Sequence, residues 1–358
     1  VTSIVQIVQH LRPGGIETMA LDLARFSRHP DCLIISLEGN KQDAIAAWPR
    51  LEAVADRLLF LNKPAGVRPG LIIKLVQLLR RIRPLTVHTH HIGPLIYAGT
   101  AARLAGIQHL IHTEHDAWHL SQPRRRQLQG QLLALLRPTL VADSHSVACS
   151  LKEYFPARTV QTIRNGIDSE QFVPGNPFEA RRKLHLPLNA LLVGCSGRLE
   201  AVKGQHLLIE ALAGLDEKIH VVLAGSGSLE QRLRDQAEQA GVSERVHFLG
   251  HLDSMPTFYR AIDLFCLPSY QEGFPLSPLE AQACGVPSIV TNVGGSAETV
   301  CPFTGSTISQ GDAKALTASI AHMLRRPPNH SPRTFVTEQG DVRDMVKAYE
   351  SLSGEGVR

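Results

Sequence analysis

The chain has 358 residues with 37 Lys+Arg against 33 Asp+Glu, a formal net charge of +4, and 43% hydrophobic and 20% charged residues. This is the balance of a water-soluble globular protein long enough for two cores, and it excludes a disordered or fibrous chain. No apolar run approaches the roughly 20 residues needed to span a bilayer, and the N-terminal VTSIVQIVQHLRPGG lacks the basic segment and long apolar stretch of a secretory leader.

SIVQIV (3–8) reads as a buried strand, and Thr18 to Arg25 as a helix with Met19, Leu21, Leu23 and Ala24 apolar. CLIISL (32–37) and Arg57 to Leu61 are the next strands. Leu71 to Ile82 has helical spacing, and Pro84 ends it. TVHTH (86–90), HLIHTEH (109–115) and TLVADS (139–144) read as strands, separated by helices over Ile96 to Ala105 and Gln127 to Leu136. Such alternation argues for a parallel sheet covered on both faces.

The rhythm breaks over 166–188, rich in Pro, Gly and Asn, which marks a domain junction. It then restarts. Strands are expected at 190–197, 220–227, 245–250, 263–269 and 287–291. Helices are expected over Gln205–Leu212, Leu229–Ala240, Ser277–Ala283, Ala313–Leu324 and Asp341–Leu352, with a surface loop at 327–333. Open parallel sheets bind ligands beyond the carboxyl ends of their strands, so two such domains in tandem place a cleft between them.

Unusual residues fall in those loops. Glu272 and Glu280 stand in EGFPLSPLEA, one in a loop and one at a helix opening. Ionised carboxylates accept hydrogen bonds from vicinal diols, as on a sugar or ribose. The plainer alternative is a surface glutamate and a helix-start glutamate. In SGRLEAVKG (196–204), Arg198 and Lys203 follow a strand and a glycine turn. They are either solvated surface cations or a pair that offsets a diphosphate and steadies it as it departs. Gly14 and Gly15 lie between the first strand and the first helix, as a tight turn or as a place where backbone amides approach a ligand. No third glycine completes a dinucleotide fingerprint, and Glu17 reads as a charge at the helix start.

Six cysteines are scattered without a CxxC pair, which disfavours structural zinc and fits a reducing cytoplasm. Seventeen histidines are many; His88, His90 and His91 cluster, as do His109, His112, His115 and His119. No carboxylate spacing beside them marks a metal site, and neutral imidazoles suffice. Residues 1–165 carry 20 Lys+Arg against 11 Asp+Glu, while 166–358 carry 17 against 22. The basic half, with runs at Arg80–Arg81–Arg83 and Arg124–Arg126 near Trp118, suits an anionic partner: an acceptor phosphate or an anionic membrane face. No nucleic-acid-reading motif is present.

Taken in order, the segments resemble retaining glycosyltransferases of the GT-B fold, specifically glycosyltransferase family four, over nearly the whole chain. They are Gly14–Gly15–x–Glu17; Thr113, His115 and Asp116; Ser144 and Val147; NGID (165–168); GRL-x3-KG (197–204); AGSGSLE (224–230); and EGFPLSPLEA with Gly294, Gly295 and Glu298. AGSGS departs from the commoner pattern with an acidic residue between glycines.

The resemblance implies an α/β protein of two Rossmann-like parallel-sheet domains facing a central cleft. It implies an acceptor domain at 1–168, a nucleotide-sugar domain at 169–335, and a C-terminal helix at 336–358 crossing back to the first domain. It further implies Arg198 and Lys203 at the diphosphate, Glu280 at the ribose, and Glu272 at the donor-sugar hydroxyls. Gly14, Gly15, Gly225, Gly273, Phe274, Leu276 and Ser277 would complete the donor site, partly through backbone amides. Glu17, His90, His115 and Asn165 would meet the acceptor, with His115 also near the donor sugar. The catalytic set is then His115, Arg198, Lys203 and Glu272. The co-substrate is a UDP- or GDP-sugar, with no metal or other cofactor. The acceptor is a glycan or lipid-linked glycan in bacterial capsule, exopolysaccharide or lipopolysaccharide assembly. The setting is the cytoplasm, with peripheral contact at the inner membrane face. A nucleotide-sugar 2-epimerase of the same architecture and a non-catalytic nucleotide-sugar-binding scaffold are the rival readings.

Overall fold

The computed structural model describes residues 4–29, 31–252, 254–326 and 329–353. It divides into two compact units, Val1–Asn165 with Val342–Arg358, and Gly166–Asp341. The breaks expected after 168 and after 335 thus meet divisions after Asn165 and after Asp341. Hydrogen bonds account for both positions. Ile167 N donates to Gly340 O at 2.8 Å, and the Arg333 guanidinium reaches the carbonyls of Phe172 and Ala283 at 2.6 Å and of Ser169 at 2.7 Å. Helix Pro332–Gln339 is therefore stitched to the start of the second unit.

Among the described residues the first unit holds seven parallel strands: β1 Ile4–Val8, β2 Leu33–Ser36, β3 Leu58–Phe60, β4 Thr86–His90, β5 His109–Glu114, β6 Thr139–Ala142 and β7 Val160–Thr162. Their order is β3-β2-β1-β4-β5-β6-β7. Helices cover both faces, as continuous apolar strands such as IVQIV require. Helices Gly70–Ile82 and Pro123–Leu136 each end on a left-handed arginine, Arg83 (φ 53°) and Arg137 (φ 46°), followed by a proline. The left-handed residue turns the chain and the proline forbids another helical turn.

Helix Val342–Leu352 belongs to this unit. Its Met345, Val346 and Tyr349 pack with Met19, Leu23, Ile111 and Val141, burying roughly 1.5–3 kcal/mol of hydrophobic free energy per large side chain. Tyr349 Oη bonds Thr113 Oγ1 at 3.1 Å, fixing the helix against β5.

The second unit holds β8 Leu191–Ser196, β9 Ile219–Ala224, β10 Val246–Gly250, β11 Leu264–Leu267, β12 Ser288–Thr291 and β13 Ser306–Ile308, in the order β10-β9-β8-β11-β12-β13. One apolar cluster lies on each face, around Phe258, Phe265 and Leu279, and around Leu208, Val221 and Ile320. The sheet order reverses between β8 and β11, so the loops after these two strands flank the place where such sheets take ligands.

Several elements lie outside the sequence reading: helices Lys41–Ala47, His145–Tyr154, Pro177–Lys183 and Met255–Ala261, and strands β7 and β13. The expected loop at 327–333 begins with two residues outside the described set and ends inside helix Pro332–Gln339, which Ser331 caps through its side chain. Ser144 is likewise a helix cap, its Oγ accepting from Val147 N at 3.2 Å.

Candidate active site

In the second unit, close backbone packing holds the loops. Gly204 (φ 69°) lies so near the next loop that an added Cβ would stand 2.1 Å from Pro268 O. Gly225 (φ 135°) is held by its N–H to Gly250 O at 2.7 Å, and a Cβ there would meet Gly197 O at 2.1 Å. Only glycine fits such approaches. Tyr270 N donates to Val202 O at 2.7 Å, joining the loop after β8 to the loop after β11.

Of the four charged residues singled out in the sequence, these loops bring Lys203 and Glu272 into contact. Lys203 Nζ bonds Glu272 Oε1 at 2.6 Å, and Ser269 Oγ reaches the same oxygen at 2.7 Å. Glu272 is buried. Glu280 Oε2 accepts from Tyr259 Oη at 2.6 Å, and Tyr259 Oη lies 3.1 Å from Ser196 Oγ. Burial, reinforced by the Glu280 charge and hydrogen bond, drives the Tyr259 hydroxyl well above its ordinary pKa, so it remains a donor. Arg198 is exposed. Its carbonyl is gripped by Gln205 Nε2 at 2.9 Å, so the loop is fixed while the side chain can reach a ligand. Gly273 O accepts from Gly295 N at 2.7 Å, Phe274 is buried, and Leu276 and Ser277 open helix Ser277–Ala283, which carries no side-chain cap.

In the first unit Gly14 is extended (φ −170°, ψ 162°) and Gly15 opens helix Gly15–Phe26. A Cβ on Gly15 would meet nothing within 4 Å. Gly15 leaves space here, whereas a Cβ on Gly14 would stand 2.4 Å from Glu17 Oε2; neither glycine is demanded by a left-handed turn. Glu17 is buried, and its Oε1 lies 3.1 Å from His10 Nδ1. The Glu17 carboxylate beside it raises the His10 pKa above 6.5 against partial burial. The pairing therefore favours the imidazolium: its contribution is full below pH 6.5 and fades as pH rises through the folded-state pKa. Glu17→Gln is expected to move the His10 midpoint, read by imidazole NMR titration, downward.

A buried polar ladder crosses β1, β4 and β5. Gln6 Oε1 meets His90 Nε2 at 2.9 Å, and His90 Nδ1 meets His115 Nε2 at 3.1 Å. His115 Nδ1 faces Asp143 Oδ2 at 3.4 Å, and Asn165 Nδ2 reaches that oxygen at 3.4 Å. His90, His115 and Asn165, expected at the acceptor, thus form one network; Glu17 binds His10 outside it. Burial, with the neighbouring imidazoles, holds His88 and His90 well below the ordinary histidine pKa, so both rings are neutral. Burial would lower His91 too, but Glu114, Asp116 and Asp143 raise it to about 9. Tyr259, Ser269, Asp143 and Gln6 escaped the sequence reading. Each is an ordinary residue whose partner is set by the fold.

Two open parallel-sheet units, the second carrying the Lys203–Glu272 pair beyond its strand ends, are the architecture of a ligand-binding α/β protein. A family model described as "Glycosyl transferases group 1" matches residues 177–338, and one described as "Glycosyltransferase Family 4" matches 13–171. The chain belongs to this family of GT-B glycosyltransferases. It is 36% identical over 214 residues, 53% of this chain and 60% of the relative, to the lipopolysaccharide core biosynthesis mannosyltransferase LpsB of Rhizobium meliloti (strain 1021). It is 33% identical over 299 residues, 78% of this chain and 70% of the relative, to the glycogen synthase of Mycobacterium tuberculosis (strain CDC 1551 / Oshkosh). The alignments with the first three curated relatives span 60%, 65% and 50% of their lengths. The solved structure of Anabaena Alr3699/HepE in complex with UDP shares the fold, with a TM-score of 0.85 at 22% identity over 98% of this chain and 99% of that one. No described helix is long and apolar enough to cross a membrane.

Proposed function

We propose that the chain transfers a sugar, with retention of anomeric configuration, from a UDP- or GDP-sugar to a glycan or lipid-linked acceptor in bacterial surface polysaccharide or lipopolysaccharide synthesis. The single observation that carries this reading is the Lys203–Glu272 pair on loops locked by Gly204, Gly225 and Gly294, followed by the helix on which Glu280 accepts from Tyr259. Arg198 and Lys203 meet the diphosphate, Glu280 the ribose diol, and Glu272 the sugar hydroxyls, with Gly225 and Gly273 and the amides of Phe274, Leu276 and Ser277 completing the donor site. The HepE complex supports a uridine donor, and the LpsB relative supports a lipopolysaccharide setting.

As the acceptor oxygen bonds the anomeric carbon, the bond from that carbon to the phosphate breaks. Its electron pair stays on the phosphate, which also takes the acceptor proton. Preorganised cations beside that developing charge supply the stabilisation, so the step asks for no metal at the diphosphate. His115, steadied by Asp143, would meet the acceptor with His90, Glu17 and Asn165. Exposed Leu128, Leu135 and Trp118 near Arg124 and Arg125 suit peripheral docking at an anionic membrane face.

A thermal-shift panel of nucleotide sugars tests the donor, because a ligand that binds only the folded chain raises Tm. One uridine or guanosine diphosphate sugar should stand out. Glu280→Ala should weaken it about 10–100-fold, the loss of one or two charge-assisted hydrogen bonds. Unchanged affinity in that variant would remove Glu280 from the site. Sugar release or epimerisation without any acceptor, and no transfer with one, would point to the epimerase reading.

A further inference from the structure

The carboxyl ends of β4 and β5 hold a constellation that donor chemistry does not use. The ligand atoms of His91, Asp116 and His119, all partly buried, lie within 4.8 Å of one another. His91 Nε2 is 3.4 Å from Asp116 Oδ2, and His119 Nδ1 is 3.4 Å from Asp116 Oδ1. Each separation, one to either oxygen of the carboxylate, is close to the roughly 3.3 Å between two ligands of a tetrahedral ion with metal–ligand bonds of about 2.0–2.1 Å.

The other nitrogen of each imidazole faces an oxygen of a buried side chain. His91 Nδ1 faces Glu114 Oε2 at 3.4 Å, and His119 Nε2 lies 2.8 Å from Gln129 Oε1. The Gln129 amide in turn donates to Glu114 Oε1, which His112 Nε2 also meets at 2.8 Å. Glu114 and Gln129 are fully buried, and Glu114 Oε2 has no hydrogen-bond partner. Outer partners of this kind fix the tautomer and aim the remaining lone pair of a metal-binding histidine. The His91 backbone adds to this: at φ 67° and ψ 167° it occupies a region that residues other than glycine seldom enter.

We propose that His91 Nε2, an Asp116 carboxylate oxygen and His119 Nδ1 bind a divalent transition-metal cation of the zinc class, with the remaining coordination left to oxygen ligands. Two imidazoles and one carboxylate suit such borderline ions better than magnesium or calcium. The inference stands on the first unit alone and leaves the metal-free step at the diphosphate unchanged.

The test is titration of the chelator-stripped 358-residue chain with Co2+, followed by visible absorption, and with Zn2+, followed by calorimetry. One ion per chain and ligand-field bands of a four- or five-coordinate site are expected. His119→Gln and Asp116→Asn should weaken binding by at least about 10–100-fold while circular dichroism stays that of the wild type. In the wild-type chain, imidazole NMR should show the first Zn2+ equivalent shifting His91 and His119, a reading independent of how any variant folds. No binding, binding retained in both variants, or shifts confined to other histidines would overturn the proposal.

Discussion

Lys203→Ala is expected to lower kcat/KM for the nucleotide-sugar donor by about 100–1,000-fold, the scale found when one preorganised group beside a developing negative charge is removed. Lys203 Nζ is held 2.6 Å from Glu272 Oε1, which also accepts from Ser269 Oγ at 2.7 Å. Removing the ammonium takes positive charge from the diphosphate and leaves a buried carboxylate with one neutral donor. That second effect costs about 1–3 kcal/mol of stability. The two losses separate. Adding Glu272→Gln to Lys203→Ala should recover part of the stability, because the orphaned charge is gone, and none of the turnover. Donor kinetics and denaturant unfolding of the wild type and these two variants measure both. A Lys203→Ala variant that loses stability but keeps wild-type kcat/KM would reduce Lys203 to a strut for the loop.

Gly294→Ala is expected to be among the most damaging single substitutions in the second unit. Gly294 sits at φ 54°, and an added Cβ would stand 1.7 Å from Glu272 O and 3.3 Å from Gly273 O. Both neighbours are backbone, held in turn by Gly295 N on Gly273 O at 2.7 Å, so neither can swing away as a side-chain tip would. The loop must shift, and Glu272 with it. A loss of about 2–4 kcal/mol and a Tm lower by several degrees are expected, with weakened donor binding. Gly241 provides the control: its φ is 68°, but a Cβ there would meet nothing within 4 Å. Gly241→Ala carries only the left-handed strain, about 1–2 kcal/mol. Equal effects at the two positions would show that the approach to Glu272 does not matter.

Local pattern made much of this architecture legible. Strands such as β1 and β8 announce themselves as short apolar runs leading into glycine turns, and Pro84 marks a helix end. Helix Met255–Ala261 does not, because it has seven residues and no side-chain cap. Strand β13 has three. Loop spacing singled out Arg198, Lys203, Glu272 and Glu280, yet it gave no partners: Lys203 and Glu272 stand 69 residues apart, and Tyr259 and Glu280 stand 21. The same holds for the buried ladder, where His90 meets Gln6 across 84 residues. Its strands carry histidine and threonine where a sheet covered on both faces normally carries valine and isoleucine. Alternation identifies such a strand but cannot say which polar group satisfies which. The His91–Asp116–His119 group was hidden in the same way, since His91 comes from the end of β4 and the other two from beyond β5.

The central claim is that the loops after β8 and β11 hold a nucleoside diphosphate. A crystal structure of the chain with the UDP- or GDP-sugar that gives the largest thermal shift addresses it directly. The diphosphate should lie within hydrogen-bond distance of Arg198 and Lys203, with the ribose hydroxyls on Glu280 and the sugar hydroxyls on Glu272. A nucleotide seated elsewhere, with these four side chains untouched, would contradict the account.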